Sequence, residues 1–222
     1  MYKIAIDGPS GSGKSTLAKR LSAHLGFVYV DTGALYRAVG LYVYRAGKDP
    51  KSSEEVSPLL SDIEVGIKYI DGEQKTLLNG EDVSKEIRLP DISMYASAVS
   101  ALPEVRKFLL GTQQDIIRAN NVIMDGRDRG TVIMPDANVK IFLISNNETR
   151  AMRRCEELLA KGVKTTYEEV LADLETRDAN DSSRAVAPLT PAEDAVFLDN
   201  SNFEPDETFA RALEIIKERI TL

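Results

Sequence analysis

The sequence predicts an α/β fold in which five parallel strands surround a phosphate-binding loop. Three observations predict it. Gly8-Pro-Ser-Gly-Ser-Gly-Lys14-Ser15 fits G-x-x-x-x-G-K-[ST], between an apolar run and a helical repeat. Short apolar runs then recur between helical stretches along most of the 222 residues. Two of those runs end in Asp31-Thr32-Gly33 and Asp125-Gly126-Arg127, polar residues of the kind that bind ligands at the carboxyl edge of a parallel sheet.

Ile4-Ala5-Ile6 reads as the first strand. Gly8, Gly11 and Gly13 allow the chain to wrap so that backbone N–H groups point at a phosphate. Leu17, Ala18, Leu21 and Leu25 recur at helical spacing, and Gly26 is placed to end that helix. The helix adds unpaired amides and the positive end of its dipole. Lys14 is expected to reach the β- and γ-phosphates, and the Ser15 hydroxyl to bind Mg²⁺. Phe27 to Val30 is the second strand. Thr32 and Arg37 follow it and suit a second phosphate, which a guanidinium can grip with two hydrogen bonds.

Residues 38 to about 61 read as helical or connecting, with a break from Gly47 to Pro50. Ile63, Val65, Ile67 and Tyr69 then alternate at period two, and Asp71-Gly72 and Asn79-Gly80 are tight-turn pairs. Residues 62 to about 88 are therefore expected to form a small antiparallel sheet inserted into the parallel fold. Pro103 suits a first helical position, and Val105, Phe108, Leu109, Ile116 and Ile117 mark a long amphipathic helix. Arg106 lies in its first turn, where a cation opposes the dipole, a hint that it serves a ligand.

Val122 to Met124 is the third core strand, and Asp125 after it can hold Mg²⁺ through water. Val139 to Ile144 is the fourth. A helix runs from about Asn147 to Ala160 and ends at Lys161-Gly162. Thr166 and Glu169 form a capping box that opens another. Arg177, Asp181 and Arg184 are spaced i, i+4, i+7, which would place them on one face if the helix continued through all three. Ala195 to Leu198 is the fifth strand, and Pro205 to Leu222 a terminal amphipathic helix.

Composition narrows the function classes. A net charge of −7 supplies no global basic field for nucleic acid or an anionic membrane. One cysteine, Cys155, and one histidine, His24, leave no internal disulfide and no Cys/His zinc cluster. No apolar run approaches the ~18 residues of a membrane span, and no signal peptide is visible. The expectation is a cytoplasmic, monomeric protein.

Taken together, five segments resemble the bacterial-type cytidylate kinase family of nucleoside monophosphate kinases. They are Ile6 to Ser15, Asp31 to Arg37, Ser97 to Arg106, Asp125 to Gly130, and Arg177-Asp-x-x-Asp181-x-x-Arg184 through Pro188. The resemblance spans the chain. It implies a single P-loop kinase domain over 1–222, with a monophosphate-binding insert at about 38–100 and a short helical lid without zinc at about 150–186. It implies Mg²⁺-dependent transfer from ATP to CMP or dCMP, yielding CDP or dCDP. By the family pattern, Gly8, Pro9, Ser10, Gly11, Ser12, Gly13, Lys14, Ser15 and Thr16 hold ATP. Thr32, Arg37 and Arg127 match positions that hold the CMP phosphate. Ser97, Arg106 and Asp128 match those that read cytosine. Arg177 and Asp181 match positions near the sugar, and Arg184 one at the transferring phosphate. Lys14, Arg127, Arg177 and Arg184 form the catalytic set. Arg129 stands where a relative has an apolar residue, and no role is assigned to it.

The chemistry agrees with that reading. A phosphate acceptor is already ionised at pH 7, so no general base is needed, and positioning with charge neutralisation suffices. A carboxylate such as Asp128 accepts from the exocyclic amine of cytosine and repels the carbonyl of uracil. Two alternatives stay open: a kinase for UMP, AMP or shikimate, and a nucleotide-dependent regulatory module.

Overall fold

The computed structural model describes residues 1–70 and 73–221, the side chain of residue 73 excepted. The elements in order are β1 (Lys3–Asp7), α1 (Lys14–Leu25), β2 (Val28–Asp31), α2 (Thr32–Arg45), α3 (Ser53–Val56), β3 (Val65–Ile70), β4 (Glu73–Leu78), β5 (Glu81–Asp82), α4 (Pro90–Val99), α5 (Pro103–Ala119), β6 (Val122–Gly126), β7 (Val139–Ile144), α6 (Asn147–Ala160), α7 (Tyr167–Ser182), β8 (Val196–Asp199) and α8 (Pro205–Lys217). They form a five-stranded sheet of order β2-β6-β1-β7-β8 and a three-stranded sheet of order β3-β4-β5. The chain divides into two compact units, Met1–Tyr29 with Asn120–Leu222, and Val30–Ala119.

In the first unit β1 is the centre of the large sheet. It pairs in parallel with β6, Ile4 opposite Ile123, and with β7, Ile4 opposite Val139. Strands covered on both faces should be apolar throughout, and Ile4, Ile6, Ile123 and Ile141 are almost wholly inaccessible. Lys140, inside β7, breaks that pattern. Its ammonium donates to the Pro135 carbonyl at 2.7 Å and to Asp194 at 2.8 Å, because a buried cation needs partners. Helix α8 rests on α1, where Phe209 meets His24 edge-on at 5.5 Å and carries the Arg20 guanidinium at 4.8 Å. That contact accounts for the single histidine.

In the second unit α2 is buried along most of its length and packs on α4. Gly40 permits the approach, since a Cβ there would lie 2.9 Å from the Ala96 nitrogen. Strand β3 pairs antiparallel with β4, Val65 opposite Leu78. Asn79 and Gly80 turn the chain into β5 with φ of 50° and 83°, the left-handed pair that a two-residue hairpin needs. The expected Asp71-Gly72 turn lies outside the described residues.

Several elements differ from expectation. Strands β2 and β8 are each shifted one residue along the chain, to Val28–Asp31 and Val196–Asp199. Helix α4 was not expected, although Pro90 at its first turn and Ile92, Ala96 and Val99 at helical spacing mark it. Helix α8 stops at Lys217. Helix α7 stops at Ser182, so Arg184 lies beyond it and the three-residue face does not form as one helical stripe. Ser183 contributes to the stop: serine hydroxyls compete for backbone groups, and that of Ser183 donates to the Asn180 carbonyl at 3.4 Å.

Candidate active site

The phosphate loop joins β1 to α1. Gly8 has φ 149°, and a Cβ at that position would lie 2.1 Å from the Leu143 carbonyl oxygen, so only glycine fits. Gly13 caps α1 in the left-handed region, with no side-chain hydrogen bond to the first turn and no acidic residue in it. By contrast α2, α6 and α7 are capped by Asp31, Asn146 and Thr166. A helix start left without a side-chain acceptor, with Gly13, Ser15 and Thr16 exposed, is ready to take an anion.

Lys14 lies folded back over its own loop. Its ammonium donates to the Pro9 carbonyl at 2.5 Å and to the Ser12 hydroxyl at 3.3 Å. Burial first, and the nearby Arg127 guanidinium second, pull its pKa down to about 7. The Ser15 hydroxyl donates to one oxygen of Asp125 at 2.7 Å, and the Tyr29 hydroxyl donates to the other at 2.9 Å. The two residues expected to serve Mg²⁺ therefore touch.

The turn after β6 carries the next groups. Asp7, at the end of β1, accepts the backbone N–H groups of Arg129 at 2.9 Å and Gly130 at 2.7 Å. Burial raises the Asp7 pKa, and those two amides oppose the rise. A π-helical turn follows from Arg129 to Ile133. Arg127 reaches α7, donating from Nε to Asp181 at 2.6 Å, and Asp181 also pairs with Arg184 at 2.5 Å. Arg177 pairs instead with Asp173 at 3.6 Å. Asp128 pairs with Arg129 at 2.6 Å, and both side chains are buried.

The second unit holds the remaining expected residues. Thr32 is buried at the first turn of α2, and Arg37 one turn on lies along Gly33, 3.3 Å from where a Cβ would stand. Arg106 donates to the Ser100 carbonyl at 3.1 Å and lies 5.8 Å from the centre of the Tyr36 ring. Ser97, in the last turn of α4, is half-buried, and its carbonyl accepts the Ser100 hydroxyl at 2.8 Å.

Comparison with known proteins decides the family. The cytidylate kinase family model matches residues 4–218. The chain belongs to the cytidylate kinase family. It is 49% identical to the cytidylate kinase of Fervidobacterium nodosum over 217 residues, 98% of this chain and 97% of that one. It is 44% identical to that of Thermosipho melanesiensis, covering 99% of each. It is 43% identical to that of Pasteurella multocida, covering 99% of this chain and 96% of the relative.

For a cytidylate kinase family member, four residues near these groups escaped the sequence reading. Arg88 pairs with Asp31, the cap of α2, at 2.8 Å, which brings another guanidinium to the helix that carries Thr32 and Arg37. Tyr29 read only as strand filler, Asp7 only as the end of the first apolar run, and Asp178 as one charge among many. Only Asp7 carried a signal, being a carboxylate at the end of an apolar strand.

Proposed function

We propose that this chain transfers the γ-phosphoryl group of ATP to CMP and dCMP by in-line displacement. The observation that carries the proposal is the uncapped start of α1, with Lys14 and the touching Ser15–Asp125 pair beside it. Residues 8–16 cradle the donor phosphates. Lys14 leaves the Pro9 carbonyl to meet them. The acceptor phosphate oxygen attacks already ionised, so the protein holds and neutralises rather than abstracting a proton. Thr32, Arg37 and Arg127 take the acceptor phosphate. Arg177 and Arg184 join Lys14 and Arg127 on the charge that develops between donor and acceptor. Asp181, already paired with Arg127 and Arg184, aims both and faces the sugar with Arg177.

A hydroxyl and a carboxylate 2.7 Å apart suit Mg²⁺, which takes few protein ligands and keeps water and phosphate oxygens. Among the described residues no group of three or more His, Cys, Asp or Glu could hold a metal. Ser15 would hold the ion directly and Asp125 through water, and the bound ion would neutralise phosphate charge.

Ser97, Arg106 and Asp128 read the base, with an Asp128 oxygen accepting the cytosine amine. The proposed organisation is one kinase domain over 1–222, with the acceptor insert at about 38–100 and a lid at about 150–186. The partners are small molecules, for which the charge of −7 argues. No helix among the described residues is long and apolar enough to cross a membrane. A cytoplasmic monomer completes the proposal, to be checked by cell fractionation and sedimentation.

The test is a coupled ADP-release assay with ATP and Mg²⁺, offering CMP, dCMP, UMP, AMP, GMP, shikimate and no acceptor. Turnover well above the rest with CMP and dCMP is expected, and Lys14→Ala should abolish most of it while remaining folded. Faster turnover with another acceptor would discard the base assignment. Turnover independent of any acceptor would discard the kinase reading.

A further inference from the structure

We propose that Arg150 and Asp178 are positioning residues that fasten the outer arm of the phosphate loop to the α6–α7 hairpin. The inference rests on the reading of that loop as the donor site. Its geometry is a closed ring. The Ser10 backbone N–H donates to Asp178 Oδ1 at 3.0 Å, and the Ser10 carbonyl accepts from Arg150 Nη1 at 2.7 Å. The same Nη1 donates to Asp178 Oδ2 at 2.5 Å, and Arg150 Nη2 donates to Asn147 at 2.5 Å. Both backbone groups of one loop residue are thus held by two helices, through side chains 140 and 168 positions downstream.

The surroundings make the ring stiff. The Arg150 side chain is 3% exposed and that of Asp178 19%. Next to Ser10, Gly11 has φ 74°, and a Cβ there would meet Arg150 and Leu174 at 3.5 Å. Charged partners in a buried place make the stronger kind of hydrogen bond. Asp178 also raises the Lys14 pKa through its charge, so the ring lies within electrostatic reach of the loop lysine.

The need for a fastening follows from Lys14. Lys14 ties the arm inward through Pro9 and Ser12. When phosphates take over that ammonium its two ties are lost, and the arm keeps the Ser12 hydroxyl on the Pro9 carbonyl at 3.0 Å and Asn200 on the Ser12 carbonyl at 3.1 Å. The inner half of the loop continues into α1 and is held by its helix. The outer arm from Gly8 to Ser12 has no helix of its own. The Arg150–Asp178 ring holds Ser10 in place throughout and leaves Lys14 free to move. It also makes the hairpin that carries Arg177 and Asp181 sense the donor loop directly.

The test is ATP binding by calorimetry, without acceptor, for the parent and for Asp178→Asn, Asp178→Ala and Arg150→Lys. Steady-state KM values for ATP and CMP, and the ¹H–¹⁵N resonance of the Ser10 amide, are read alongside. Asp178→Ala is expected to weaken ATP binding about tenfold, to leave KM for CMP within twofold, and to shift the Ser10 amide upfield. Asp178→Asn, which keeps an acceptor but not the charge, should fall between, and it decides the matter by the same criteria if the alanine variant does not fold. Unchanged ATP affinity in folded variants, or equal rises in both KM values, would overturn the proposal. Failure of the parent itself to bind ATP would instead sink the reading of the loop as the donor site.

Discussion

Donor binding should be accompanied by proton uptake at Lys14. The perturbation is the arrival of a polyphosphate beside an ammonium whose pKa is held at about 7 by burial and by Arg127. At pH 8, one unit above that value, about one lysine in ten carries its proton. A multiply charged phosphate beside the ammonium favours the protonated form and returns the pKa toward its ordinary 10.5. The uptake is therefore about 0.9 proton per ATP at pH 8, about 0.5 at pH 7 and about 0.1 at pH 6. The terminal phosphate of ATP does not mask this at pH 8, because phosphate esters lose their second proton near pH 6. The assay is isothermal titration in buffers of different ionisation enthalpy, where the slope of observed heat against buffer enthalpy counts protons. Lys14→Ala, which lacks the group, is the control. A slope that is the same in parent and variant, or one that does not rise from pH 6 to pH 8, would refute the account of Lys14.

The same lysine links stability to pH. Between pH 7 and 10.5 the unfolded chain holds more protons at this site than the folded one, so stability rises with pH there. Lys14→Met should be more stable than the parent below pH 7, and urea melts should show the advantage shrinking toward pH 10.5. Asp128→Ala removes the carboxylate facing buried Arg129, a loss of about 3–5 kcal/mol by the cost of breaking a buried pair. Adding Arg129→Met should recover much of that, and an unaltered melt in the single variant would show that the pair is not needed. Asp128→Asn, which keeps the shape, should lower activity on CMP far more than on UMP, and equal falls would remove Asp128 from base reading. Gly40→Ala pushes a methyl to 2.9 Å from the Ala96 backbone and should cost about 1–3 kcal/mol in the second unit, again read by urea melts.

Much of this protein is legible along the chain. The phosphate loop is, because Gly8, Gly11 and Gly13 each sit where φ is positive, a region glycine enters without strain. The central strands of the large sheet are legible because burial on both faces demands mostly apolar runs, Lys140 being the exception. The Asn79-Gly80 turn and the Thr166–Glu169 capping box are legible because their partners are a few residues apart. Helix α4 carries the same kind of signal in Pro90, a weaker one than the Pro103 start of α5.

The partners of the charged groups are another matter. Ser15 and Asp125 are 110 positions apart, Arg127 and Asp181 54, and Ser10 and Arg150 140. Spacing says nothing about such pairs. Arg177, Asp181 and Arg184 show the limit from the other side, since their regular spacing suggested one helical face and the end of α7 at Ser182 divided it. Residue type alone determined which chemistry the chain carries: a phosphate cradle, a carboxylate after a buried strand, and many arginines. Only the packing of sheet and helices decided which carboxylate each arginine meets, because a buried charge is stable only beside the partner that long-range folding brings to it.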